Sequence, residues 1–249
     1  RINESIVASD SMQDIYYQKI TNLCKEMRNF HNWIKSIIIY TYCSPEKENK
    51  NGKINKKSIL DIGCGRGGDV MKWFHSRIKN YVGFDPDYEG IYSSIDGIIS
   101  RYTSRKKVFP QFYPAIFLQA DGSVPLTVKA QSERFPNFSN TNKEIIKNTF
   151  EKGKQFDVIS SQMAIHYLFG TNNSVDNLIN TINNHLKKDG YIILTLLDGE
   201  RVDNMLKDRN SYASFYTDDN GKKMKLFEIR KKYDKLKNDS GVAVDIYMS

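Results

Sequence analysis

The chain predicts an α/β architecture, a doubly wound and mostly parallel sheet preceded by N-terminal helices. Three observations predict it. Short apolar runs alternate along the middle of the chain with segments of helical apolar spacing, as parallel sheets require, because each strand needs a crossover helix to reach the next. The run SILDIGCGRGGDVMKWFHSRIKNYVGFDPDYEGIY reads as strand, glycine turn, helix, second strand and an acid at that strand's end. Residues 11–42 return Ile15, Ile20, Leu23, Met27, Phe30, Ile34, Ile37 and Ile38 to one side, with no proline until Pro45, which predicts two helices before the sheet.

The elements follow in order. Residues 47–57 are polar and contain a glycine, marking a surface linker into the first strand. Residues 58–62 form that strand, an apolar run stopped by glycines. Val70, Met71, Trp73 and Phe74 then give helical spacing up to the basic Arg77 and Lys79. Further strands are expected at 81–84, 116–119, 156–160 and 191–196, with helices between most of them. Residues 125–154 are polar and interrupted by Pro136, so a long surface loop before a short helix is expected there. After Asp198 the pattern loosens, and residues 222–237 are heavily basic with Phe227, Ile229 and Tyr233 interleaved. Such a run is read as a solvated face before it is read as a nucleic-acid patch.

The glycine turn carries the chemistry. Gly63, Gly65 and Gly68 satisfy GxGxxG, a pattern in which glycines let backbone approach a ligand, the helix N-terminus offers unpaired N–H groups, and the acid beyond the second strand accepts from ribose hydroxyls. Three readings compete: NAD, S-adenosylmethionine, and a turn that only closes a βα unit. The acids Asp61 and Asp69 flanking the glycines favour S-adenosylmethionine, since a carboxylate repels a pyrophosphate and attracts the ammonium of methionine.

Composition bounds the rest. The 249 residues suffice for one domain with a sizeable core. The chain opens on Arg1 rather than Met, so a piece of a longer protein is expected. A formal net charge of +8 and a pI near 9.2 favour an anionic partner, with RNA, DNA and anionic membrane all open. Cys24, Cys43 and Cys64 make neither a disulfide framework nor a CxxC zinc pattern, which points to a reducing, intracellular compartment. His31, His75, His166 and His185 lack metal-ligand spacing, so no metal is expected. No run approaches a membrane span, and no membrane partner is expected.

In an open α/β sheet the ligand lies beyond the carboxyl ends of the strands. Asp61 and Gly63 end the first strand, Asp85 the second, and Asp121 follows the third, while SSQMAIHY brings Gln162, His166 and Tyr167 to the end of the fourth. Asp85 suits a ribose diol and Asp121 an adenine amino group, although each alone is also read as a helix N-cap.

At these residues the chain resembles a known family, the mRNA cap guanine-N7 methyltransferases, above all those of large DNA virus capping enzymes. Three ordered blocks carry the likeness. MRNFHNWIKSIII, residues 27–39, is similar to the family's RxFNNWxKS helix; LDIGCGRGGDVMKW, residues 60–73, to LDLGCGKGGDLxKW; and FDVISSQMAIHYLF, residues 156–169, to FDxxSxQFxxHYxF. The resemblance runs from about Met27 to Asp198. It implies a class I S-adenosylmethionine-dependent methyltransferase fold, Rossmann-like, over a single domain 1–249. That domain would comprise a helical segment 1–45, a cofactor-binding core 58–198 and a basic substrate-side segment 199–249, as one part of a longer capping enzyme.

The resemblance also implies residues. Lys35, Gly63, Asp85, Asp121, Gln162 and Tyr167 would hold S-adenosylmethionine, with Lys35 meeting the methionine carboxylate. His31, Asn32, Arg66, Lys72, Arg101 and His166 would hold the cap, the cations matching its triphosphate bridge. The chain has His31 where the family has Asn, and Arg66 where it has Lys. The family's VPEYLV-like strand, whose Glu reads guanine, has no counterpart here: the chain stops at VAVDIYMS, and Asp245 is no secure substitute.

The implied reaction is methyl transfer from S-adenosylmethionine to N7 of the cap guanosine, leaving S-adenosylhomocysteine. Guanine N7 carries a lone pair and no proton, so no general base or catalytic nucleophile is expected; catalysis rests on proximity and orientation. The implied partners are capped RNA (GpppN-RNA), further capping domains in cis and a stimulatory subunit. The compartment would be cytoplasmic, a viral factory or virion, if the protein is viral, and nuclear if it is cellular. The rivals are a methyltransferase of another substrate and a non-catalytic RNA-binding or partner module of the same fold.

Overall fold

The structure, a computed structural model, describes residues 23–45, 54–234 and 241–249. The expected helix beginning near residue 11, most of the 47–57 linker and the end of the 222–237 basic run lie outside them. The chain divides by its contacts into two compact units: residues 1–34, 197–238 and 242–249, and residues 35–196 with 239–241. Helix α1, Lys25–Cys43, has its first ten residues in the former and the rest in the latter.

The larger unit carries five parallel strands in the order β3-β2-β1-β4-β5. These are β1 Ser58–Ile62, β2 Asn80–Asp85, β3 Ala115–Gln119, β4 Phe156–Gln162 and β5 Leu186–Thr195. All five residues of β1 are buried, as a strand covered by helices on both faces must be. Its alternating side chains feed two cores. Ile59 joins Tyr81, Val158 and Ile193 on one face, packed by Ile39 and Cys43 of α1, Val70 and Trp73 of α2 (Val70–His75), Ile91 of α3 (Tyr88–Tyr92), and Ile98 and Tyr102 of α4 (Ile98–Val108). Leu60 and Ile62 join Val82, Phe84, Leu118 and Ile159 on the other face. There they meet Ile146 of α6 (Asn140–Ile146), Leu178 of α7 (Asn172–His185), and Ile165 and Leu168 of a 3-10 turn, Ile165–Phe169. The chain winds outward from β1 through β2 to β3, then returns to place β4 against β1's other side, with Leu60 beside Ile159 and Asp61 beside Ser160. The crevice beyond β1 and β4 is therefore the topological switch point.

Two expectations change. Residues 125–154 are not a long loop with one short helix. Thr127 accepts from the N–H of Ala130 and starts α5, Val128–Arg134; Ser139 accepts from the N–H of Asn142 and starts α6, which widens into a π turn over Lys147–Glu151. Pro136 falls between the helices, where the chain needs no N–H donor. Strand β5 begins five residues before its expected start, because Asp189, at φ 63, and Gly190 form a bulge inside it rather than the turn their pair suggests.

The smaller unit holds helix α8, Gly199–Leu206, and an antiparallel sheet of β6 Ser211–Thr217, β7 Lys223–Lys231 and β8 Val244–Met248 in the order β6-β7-β8. The basic run is thus largely a central strand. Within this unit Arg28 donates to the Ser249 carbonyl at 3.2 Å, and Cys24 Sγ lies 3.1 Å from the Leu226 carbonyl oxygen. Among the described residues no helix is long and apolar enough to cross a membrane.

Candidate cofactor and cap site

The turn after β1 is built on close approach. Gly63 sits at φ +77, and a Cβ there would lie 2.4 Å from that of Ala164 on the loop after β4. Only glycine meets both demands. The N–H groups of Gly63 and Cys64 donate to the Phe84 carbonyl at 2.9 and 3.1 Å, which folds the turn back over the end of β2. There Asp85 accepts from the Gly65 N–H at 2.8 Å and the Asp87 N–H at 2.9 Å. Burial still pushes its carboxyl up to about 6, against the pull of those two donors.

Asp61 lies beneath the turn. Its Oδ2 accepts from the Tyr81 hydroxyl at 2.7 Å, while Oδ1 is buried without a hydrogen bond of ordinary geometry, although the neighbouring Ser160 hydroxyl also favours the charged carboxyl. Burial raises this carboxyl to about 7, and the charge of Asp69 adds to the rise. A buried acceptor left open is costly unless something donates to it, so Asp61 offers a ligand an acceptor at this turn.

Asp69 already has cationic partners: the methionine ammonium expected there would share it with Lys35 at 2.9 Å and Lys72 at 2.7 Å. It occupies the position preceding α2 yet makes no capping bond with its side chain. Lys35, expected at the cofactor, and Lys72, expected at the cap, are thereby tied to one carboxylate.

A second cluster joins two expected cap residues. Arg66 pairs with the Asp96 carboxylate at 2.5 Å, and Arg101 Nε donates to the Asp96 backbone carbonyl at 2.9 Å. The Ser93 hydroxyl, with Arg66, holds the Asp96 carboxyl below its ordinary range. Asp96 was missed by sequence reasoning; only the ST-turn pattern of Ser93 three residues before it offered a signal.

Asp121 caps no helix. It accepts from the Ser123 N–H at 2.8 Å and from Arg134 at 2.6 Å. Gln162, at the end of β4, donates to Ser160 Oγ and the Ile193 carbonyl at 3.2 Å each and accepts from Thr195 at 3.1 Å. Met163 then takes φ 60, a strained value for a residue with a side chain, held by the Thr195 carbonyl and hydroxyl. That turn leads into His166 and Tyr167, whose rings lie 4.3 Å apart. Tyr167 is 76% exposed, whereas His166 Nδ1 is buried without a partner, and burial lowers the imidazole's pKa. His31 and Asn32 lie on the part of α1 that belongs to the smaller unit.

The strand order, the glycine turn and the acid closing β2 define the core of a class I S-adenosylmethionine-dependent methyltransferase. Comparison with known proteins goes further. Residues 11–235 match the mRNA (guanine-N(7))-methyltransferase domain, and the chain belongs to that family. The probable mRNA-capping enzyme of Acanthamoeba polyphaga mimivirus is 40% identical over 235 residues, 94% of this chain and 19% of that protein. The mRNA cap guanine-N(7) methyltransferases of Pyricularia oryzae and Drosophila melanogaster are 29% and 30% identical over 78% and 71% of this chain, and 41% and 37% of their own lengths. The chain thus spans between about a fifth and two fifths of these relatives.

The residues present fit the cofactor. The open oxygen of Asp61 suits a cation, Asp85 presents a carboxylate beside the glycine turn, and at Gly65 nothing lies within 4 Å of where a Cβ would stand.

Proposed function

We propose that this chain transfers a methyl group from S-adenosylmethionine to N7 of the guanosine cap of RNA, acting over residues 1–249 as one methyltransferase domain. The observation that carries the reading is the gathering of Lys35, Lys72, Arg66 and Arg101 around Asp69 and Asp96, beside the glycine turn of a chain in this family. A polyphosphate bridge is the ligand such a group of cations suits.

S-adenosylmethionine, when bound, supplies an electrophilic methyl group on a sulfonium. Asp85 would accept from ribose hydroxyls, Asp121 and Gln162 would face the adenine, Gly63 would let backbone approach the methionine portion, Lys35 would pair with its carboxylate, and Tyr167 would cover the site. His31, Asn32, Arg66, Lys72, Arg101 and His166 would hold the cap. With a lone pair already present at N7, these residues need move no proton; their work is to orient the guanine and shed water, and alignment of this kind is worth roughly 7–11 kcal/mol in favourable cases. Partners proposed on the same ground are GpppN-capped RNA, further capping domains in cis, for which the mimivirus relative's name and length give support, and a stimulatory subunit.

The test is transfer of labelled methyl from S-adenosylmethionine to GpppA- or GpppG-capped RNA, with uncapped RNA as control and nuclease digestion to place the label. Label in N7-methylguanosine from capped RNA alone is expected. Label in any other base, or none, would overturn the reading.

A further inference from the structure

Helix α4 carries Arg101, Arg105, Lys106 and Lys107 within seven consecutive residues. All four are exposed, while Ile98 and Tyr102 on the same helix are buried in the core. Around the glycine turn the cations have carboxylate partners: Lys35 and Lys72 share Asp69, and Arg66 pairs with Asp96. Along α4 none of the four forms an ion pair among the described residues. Arg101 bonds only a backbone carbonyl, and Lys106 lies 5.7 Å over the Tyr102 ring.

Cations in a last helical turn are favoured by the helix dipole, which favours Arg105, Lys106 and Lys107 alike but only weakly at an exposed site. Three in succession also repel one another, and no carboxylate among the described residues pairs with them. An external anion would. We propose that α4 is a phosphate-contacting ridge for the RNA chain that leads away from the cap, with Arg105, Lys106 and Lys107 as its contacts; this rests on the cap-methyltransferase reading above. Arg105 lies one turn beyond Arg101, an expected cap contact, on the same side of the helix and about 6 Å along its axis, the scale of one nucleotide step, while Lys106 and Lys107 leave the helix on its other sides. No exposed aromatic ring lies on α4 itself, so the contact reads phosphate and not base, and the gain in affinity is independent of sequence.

The experiment compares the wild-type chain with the triple variant Arg105→Gln, Lys106→Gln, Lys107→Gln, using the cap dinucleotide GpppG and a capped RNA oligonucleotide as methyl acceptors over a range of salt. The variant is expected to keep the wild-type KM for the dinucleotide and to raise it for the oligonucleotide. The slope of log KM against log salt for the oligonucleotide should fall by about 2, at roughly 0.7 per lost single-strand contact. The charge-keeping variant Arg105→Lys, Lys106→Arg, Lys107→Arg should restore both. An unchanged oligonucleotide KM, or equal rises for both acceptors, would overturn the ridge. Should the wild type methylate neither acceptor, the enzymatic reading fails and anisotropy with uncapped RNA decides the ridge alone: equal affinity of wild type and variant would sink it, and weaker binding by the variant would uphold it. Loss of binding to phosphatidylserine vesicles with RNA affinity intact would also overturn it.

Discussion

The backbone N–H of Gly65 donates to Oδ2 of Asp85 at 2.8 Å, so the acid closing β2 holds the shape of the glycine turn as well as offering a carboxylate beside it. Asp85→Ala removes both functions. S-adenosylhomocysteine affinity is expected to fall at least about tenfold, the loss of roughly one charged hydrogen bond, with stability lower by about 1–3 kcal/mol as the N–H groups of Gly65 and Asp87 lose their acceptor. Titration calorimetry and urea denaturation measure the two. Wild-type affinity in this variant would contradict the pocket.

Gly63 and Gly65 both lie at positive φ but in different surroundings. Alanine at Gly65 meets nothing within 4 Å and costs only the left-handed backbone, roughly 1–2 kcal/mol; alanine at Gly63 adds a contact of 2.4 Å with Ala164. Gly63→Ala should therefore lower stability by clearly more than Gly65→Ala in parallel urea titrations. Similar losses would argue that the turn and the loop after β4 are not in contact.

The pH dependence has a defined sign. Burial raises the folded-state carboxyl of Asp61 from 3.8 to about 7, so the folded chain binds this proton more tightly than the unfolded chain. The resulting stabilisation is complete below about pH 4 and is lost as pH rises to about 7. Between pH 5 and 8, Asp61→Asn should flatten the fall in the melting temperature of the ligand-free protein. Because a cationic ligand prefers the carboxylate, S-adenosylhomocysteine should bind more tightly at pH 8 than at pH 6, by up to about tenfold per unit below the shifted pKa.

Lys72→Ala leaves Asp69 its bond to Lys35. It should raise KM for capped RNA, by an amount that shrinks as salt rises, and change cofactor affinity by less than about twofold. Asp69→Asn, which loosens both lysines, should raise both constants. Steady-state kinetics at low and high salt separates the two outcomes.

The central sheet was legible because each strand of β1 to β4 is a short apolar run closed by a glycine, a polar cluster or an acid, and because buried parallel strands need no polar alternation. The antiparallel sheet was not. Strand β7 reads KMKLFEIRK, in which charges at its exposed positions make a strand look like a basic tract. The register also shifts where Ser214 and Phe215 face Phe227 and Lys225, so the period of two breaks at Leu226. In the site, Asp85 and the glycines could be read from the motif, but the pairing of Asp69 with Lys35, of Asp96 with Arg66 and of Asp61 with Tyr81 joins residues 20 or more positions apart. Tyr81 was legible only as a strand residue, with nothing to announce that its hydroxyl reaches Asp61.

Asp96 gives the molecule an internal counterion. Any anion that takes Arg66 must first release that carboxylate, so the exchange of one single charge for another gains little. On the proposed cap reading the net attraction would grow only with charge beyond the first, so a ligand would be weighed by its valence before its base is met.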